Sequence, residues 1–100
     1  MPAKLTPEEL LALSRKLPDW TLAEAQESIS RSFRFTDFAE AFTFMTRVAL
    51  MAERMNHHPD WRNVYNRIDV TLTTHDCGGL SENDVKMAWA MDSIYASHPR

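Results

Sequence analysis

The stretch TDFAEAFTFMTRVALMAERMNHHP, residues 36–59, decides the architecture. Thr36 offers an N-cap and Asp37 a first-turn carboxylate, after which Phe38, Phe42, Met45, Val48 or Ala49, and Ala52 recur at helical spacing. The spacing predicts one long helix whose apolar stripe lies on a sheet. An aromatic and methionine stripe of this kind is core material, so the helix supports a site without forming it. It must fail near Asn56 to His58, because Pro59 pushes its predecessor out of the helical region. Two adjacent imidazoles, His57 and His58, are thereby placed at the C-terminus of the longest element.

On the C-terminal side, residues 63–66 and 67–74 read as strands. The second alternates Ile68, Val70 and Leu72 on one face with Arg67, Asp69, Thr71 and Thr73 on the other. On the N-terminal side, residues 20–24 and 28–35 read as a hairpin across Ala25, Gln26 and Glu27. Ile29, Phe33 and Phe35 form one face of its second strand, and Arg31 breaks the alternation.

Helices flank both hairpins. Thr6 is an N-cap, Pro7 fits the first helical position, Glu9 can close a capping box, and Leu5 and Leu10 supply a staple. This helix runs to about Lys16, turns Leu10, Leu13 or Ser14, and Leu17 to the core, and ends before Pro18 and Asp19. The chain's two glycines, Gly78 and Gly79, allow a tight turn into a last helix, where Leu80, Ser81 and Asp84 repeat the staple, cap and acidic third position. There Val85, Ala88, Met91 and Tyr95 face the core, Trp89 lies at its edge, and residues 97–100 fray. The order α-β-β-α-β-β-α predicts a single α+β domain over residues 1–100: a four-stranded antiparallel sheet with helices packed on one face.

Composition narrows the function classes. At 44% hydrophobic and 25% charged residues in 100, the chain is an ordinary globular domain, neither disordered nor fibrous. A formal charge of −3, with basic residues scattered, opposes binding to a nucleic-acid backbone. No apolar run approaches the roughly 18 residues of a membrane span, and the N-terminus lacks a signal-peptide core. A cytoplasmic location and no membrane partner are expected. Cys77 is the only cysteine, which leaves no internal disulfide.

The chemistry should lie where histidine concentrates. His57 and His58 end a helix and His75 ends a strand, so two rigid elements could bring imidazoles to one end of the domain. An unperturbed pKa near ~6.5 suits histidine to general acid-base work at neutral pH. Glu53, one helical turn before His57, could reach that imidazole or remain a solvated helix residue. Trp61 could stack on a planar heterocycle or be a core tryptophan, and Pro59 could join the same wall. Asp84 is first a helix-capping carboxylate and second a pocket residue. A metal reading of His57, His58, His75, Asp76 and Cys77 fails on pattern, since adjacent histidines rarely face one ion and neither paired CxxC nor HExxH occurs. A Cys77 nucleophile with His75 as base is the other enzyme reading, against which Cys77 is more simply a small packed group.

The wording of these segments, Glu53, Asn56-His57-His58-Pro59, Trp61, residues 63–66 and residues 73–80, resembles the pterin-4a-carbinolamine dehydratase family. The resemblance is dense from about Glu53 to Asp84 and implies the same fold. It also implies dehydration of 4a-hydroxytetrahydropterin to quinonoid dihydropterin and water without a cofactor. By resemblance His57, His58 and His75 are the catalytic histidines, with His57 and His75 as the proton-transfer pair. Glu53, Pro59, Trp61, Asp76 and Asp84 are the expected substrate-binding residues. The family further implies a homodimer or homotetramer, a functional link to an aromatic amino acid hydroxylase and, as an alternative, a non-catalytic pterin-binding or coactivator-like interaction module.

Overall fold

The computed structural model describes residues 2–98. Its elements are α1 (Pro7–Lys16), β1 (Thr21–Leu22), β2 (Ile29–Arg34), α2 (Phe38–Met55), β3 (Asp60–Val64), β4 (Arg67–Leu72), a 3₁₀ turn (His75–Cys77) and α3 (Glu82–Ser97). The strands form one antiparallel sheet in the order β1-β2-β4-β3. The predicted α+β order therefore holds.

Local chemistry sets the helix starts. The Thr6 hydroxyl accepts the N–H of Glu9 while the Glu9 carboxylate accepts that of Thr6, closing the capping box. The N–H and then the hydroxyl of Thr6 hold the Glu9 carboxyl below its ordinary value. This contribution to stability is present above the ordinary carboxylate pKa and is lost as pH falls through the lower folded value. Ser81 and Asp84 close the second box at α3. At α2 the N-cap is Asp37 rather than Thr36, its side chain accepting from the N–H of Glu40.

Ile68, Val70 and Leu72 of β4 and Ile29 and Phe33 of β2 line the inner face, fully buried. Against them α2 presents Ala41, Phe44, Val48 and Ala52, and α3 presents Met87, Ala88 and Met91. This corrects the expected α2 stripe. Phe38 and Phe42 are 49% and 55% exposed, because the helix is apolar around so much of its circumference that two stripes fit its sequence. The sheet takes the one built on Phe44, whose ring lies 4.9 Å from that of Phe33.

Three other departures have physical causes. Arg31 sits on the inner face of β2, its guanidinium over the rings of Phe33 and Tyr95 and paired with Asp92 of α3 at 2.5 Å. Trp20 Nε1 donates to the same carboxylate. Tyr65 and Asn66 form the β3–β4 turn instead of strand: Tyr65 is left-handed at φ 52°, and the Asn63 amide donates to the carbonyls of Tyr65 and Arg67. As a result β3 starts at Asp60 and contains Trp61. Finally, α3 runs to Ser97 and His98 is buried, edge-on to Phe35 and 2.7 Å from the Glu40 carboxylate. Of the tail expected to fray, 97 and 98 are ordered; 99 and 100 lie outside the described residues.

Asp92 holds two inward donors, whereas Asp19 reaches Arg31 only at 3.7 Å and is 68% exposed. Asp92→Ala should therefore cost about 2 kcal/mol, below the ~3–5 kcal/mol of breaking a fully buried pair. Asp19→Ala should cost under ~1 kcal/mol. Urea unfolding of the two variants checks the difference.

Candidate active site

The C-terminus of α2 positions the histidine pair. Asn56 adopts the left-handed conformation at φ 51°, its N–H reaches the carbonyl of Glu53, and that of His57 reaches Ala52. This is the Schellman pattern. It reverses the chain so that His57 turns inward, 9% exposed, while His58 stays at the surface.

The end of β4 supplies the opposite wall. Thr74 bridges to Gly79, enclosing the 3₁₀ turn at His75–Cys77, and Gly78 closes it at φ 71°. A Cβ at Gly78 would meet nothing within 4 Å, so glycine is favoured there by backbone conformation. His75 and Asp76 are exposed at the rim. The two walls enclose a cleft of about 260 Å³ lined by Asn56, His57, His58, Thr73, Thr74, His75 and Asp76. The three histidines thus meet at one opening.

Beneath the opening, His57 Nε2 lies 2.6 Å from Asp84 Oδ1. Asp84 is fully buried; its Oδ2 accepts the Ser81 N–H at 2.9 Å and the Thr74 hydroxyl at 2.7 Å. It is both the expected cap and a partner of the site, which it reaches through His57. Glu53 pairs with His58, at 2.7 Å, and not with His57. The i,i+4 relation to His57 fails because α2 ends at Met55. That pair is exposed, its side chains 56% and 80% accessible, and contributes under ~1 kcal/mol to stability.

Pro59 and Trp61 do not line the cleft: Trp61 stands opposite Val70 on β3 and packs against the core. Cys77 lies in a 3₁₀ turn, not an extended segment, with its sulfur against the carbonyls of Thr74 and Gly79 at 3.5 Å. Asn56, Thr73 and Thr74 are lining residues that reading for catalytic side chains passes over. Their signal was positional, each within two residues of a histidine at an element's end. Among the described residues no group of three or more His, Cys, Asp or Glu side chains is arranged to hold a metal ion, and no helix is long and apolar enough to cross a membrane.

Residues 3–94 match the family described as Pterin 4 alpha carbinolamine dehydratase. A protein of Burkholderia multivorans, provisionally named as a pterin-4-alpha-carbinolamine dehydratase, is 54% identical over 97% of this chain and 94% of its own length. A similarly named protein of Rhodopseudomonas palustris is 53% identical over 96% and 95%. The crystal structure of a transcriptional coactivator/pterin dehydratase from Brucella melitensis superposes with a TM-score of 0.87 at 48% identity, covering 92% of this chain and 98% of that one. A pterin dehydratase-like protein described as a RuBisCO assembly factor of the alpha-carboxysome shares the fold, with a TM-score of 0.67 at 20% identity over 79% and 92%. The chain belongs to the pterin-4a-carbinolamine dehydratase family.

Proposed function

We propose that the chain is a dehydratase that converts 4a-hydroxytetrahydropterin to quinonoid dihydropterin and water by histidine acid-base catalysis. The observation that carries the reading is the meeting of His57, His58 and His75 at one cleft, with His57 backed by a buried carboxylate. Loss of the 4a-hydroxyl requires a proton on the departing oxygen, while a proton must leave the ring nitrogen as the double bond forms. His57 and His75, on opposite walls, are the proton-transfer pair, and His58, held by Glu53, orients the pterin. Asp76 binds at the rim. Pro59, between His58 and β3, is the expected contact for a substituent projecting out of the cleft, and Trp61, packed against the core, backs that wall from within. The step uses no cofactor, and its place is the cytoplasmic recycling of tetrahydropterin oxidised by an aromatic amino acid hydroxylase.

A second reading is association. Phe38, Phe42 and Leu50 leave an apolar side of α2 uncovered, at 49%, 55% and 62% exposure, which supports a homodimer or homotetramer and, in the alternative, a coactivator-like interaction module. The two readings separate by mutation. His75→Ala should remove dehydration and leave the sedimentation behaviour unchanged, whereas Phe42→Asp should alter sedimentation and leave a folded cleft. Dehydration that survives the loss of all three histidines would sink the catalytic reading.

A further inference from the structure

Counting protons fixes the direction of the hydrogen-bond chain beneath His57. As a carboxylate, Asp84 only accepts, and each hydroxyl has one proton to give. Thr74 Oγ1 lies 2.7 Å from Asp84 Oδ2, so its proton points there. Ser81 Oγ, also 2.7 Å from Thr74 Oγ1, must then donate to Thr74 while accepting the Asn83 N–H at 3.2 Å. The order is Ser81 to Thr74 to Asp84 Oδ2, with the Ser81 N–H as a second donor to that oxygen. Oδ1 is left for His57 Nε2. Thr74 is 5% exposed, and Ser81 and Asp84 are fully buried, so water does not compete for these bonds.

We infer that Thr74 and Ser81 are positioning residues: acting through Asp84, they hold the proton of neutral His57 on Nε2, so that Nδ1 is the nitrogen that exchanges protons with a bound ligand. No described residue hydrogen-bonds Nδ1. The lever is the carboxylate's own torsion, which is broad and roughly two-fold. With Oδ2 gripped by two donors, Oδ1 stays aimed at the imidazole. Without the Thr74 hydroxyl only the Ser81 N–H restrains it, and the Nε2 bond loses its fixed partner. The bland reading is that these hydroxyls merely close the β4–α3 connection, Ser81 being the α3 N-cap. That reading predicts lost stability and nothing more. The effect on rate rests on the dehydratase reading; the proton's position does not.

The test uses the full-length protein labelled with ¹⁵N, with imidazole nitrogen shifts recorded near pH ~8.5, about two units above the ordinary histidine pKa. Wild type and Thr74→Ser should show His57 protonated on Nε2 alone, and Thr74→Val a mixture of tautomers. Turnover of Thr74→Val should fall about tenfold, less than the ~10²–10⁴-fold that a positioned proton carrier itself contributes, with KM little changed and recovery in Thr74→Ser. A folded Thr74→Val with the wild-type tautomer would overturn the inference. If Thr74→Val does not fold, Thr74→Ala takes its place in the same comparison, and a wild-type proton on Nδ1 overturns the inference by itself. A tautomer shift in a chain that never accelerates dehydration would leave the positioning intact and remove the dehydratase.

Discussion

His75→Ala should lower the rate of 4a-hydroxytetrahydropterin dehydration by about 10²-fold or more, the usual contribution of a positioned general acid or base. The variant is informative because His75 is exposed and its side chain makes no hydrogen bond to any described residue. Its removal should leave the unfolding free energy, read from urea titration, within about 0.5 kcal/mol of wild type. Lost turnover could then not be ascribed to lost fold. His57→Ala should cost at least as much activity but also stability, because it leaves the buried Asp84 carboxylate without its Oδ1 partner. The pair of variants separates a proton carrier at the rim from one built into the core. If His75→Ala turned over at the wild-type rate, His75 would be out of the mechanism.

Phe33→Ala should destabilise the domain by about 3–5 kcal/mol, a large share of the ~5–15 kcal/mol that holds a typical small domain together. Phe33 is fully buried and sits among Phe44 at 4.9 Å, Tyr95 at 5.0 Å and Trp20 at 6.0 Å. It thus joins β2 to α2, α3 and the approach to β1. Phe42→Ala is the control on α2: at 55% exposure it should cost under ~1 kcal/mol in dilute protein. Any larger cost should grow with protein concentration, as expected of a residue covered only in an oligomer. Urea unfolding at two concentrations reads both variants. Equal, concentration-independent losses would mean that α2 is rotated from the orientation described here.

Features governed by neighbours in the chain were legible before the fold. Thr6 with Glu9 and Ser81 with Asp84 announced two helix starts, strict alternation announced β4, and Pro59 announced the end of α2, all through local sterics and short-range hydrogen bonds. The histidine set was legible for the same reason, since each member sits where an element must stop. Features set by distant partners were not. Arg31 reads as an error in an alternating strand until Asp92, 61 positions away, is beside it. The choice between Phe42 and Phe44 depends on where the sheet lies, and two stripes of equal quality give the sequence no preference. Tyr65 has strand propensity, but the amide of Asn63 makes it a turn residue. The link from Asp84 to His57 spans 27 residues; the carboxylate reads as a cap or as a pocket residue, and nothing local names His57 as its partner.

The central claim is that this cleft dehydrates a carbinolamine. The most direct measurement follows the ultraviolet absorbance of 4a-hydroxytetrahydropterin at neutral pH with and without the purified chain, beside His57→Ala, His58→Ala and His75→Ala. The account predicts acceleration over the spontaneous decay by the wild type, reduced by about 10²-fold or more in His57→Ala and His75→Ala and by less in His58→Ala. A folded wild-type chain that binds a pterin yet leaves the spontaneous rate unchanged would contradict it.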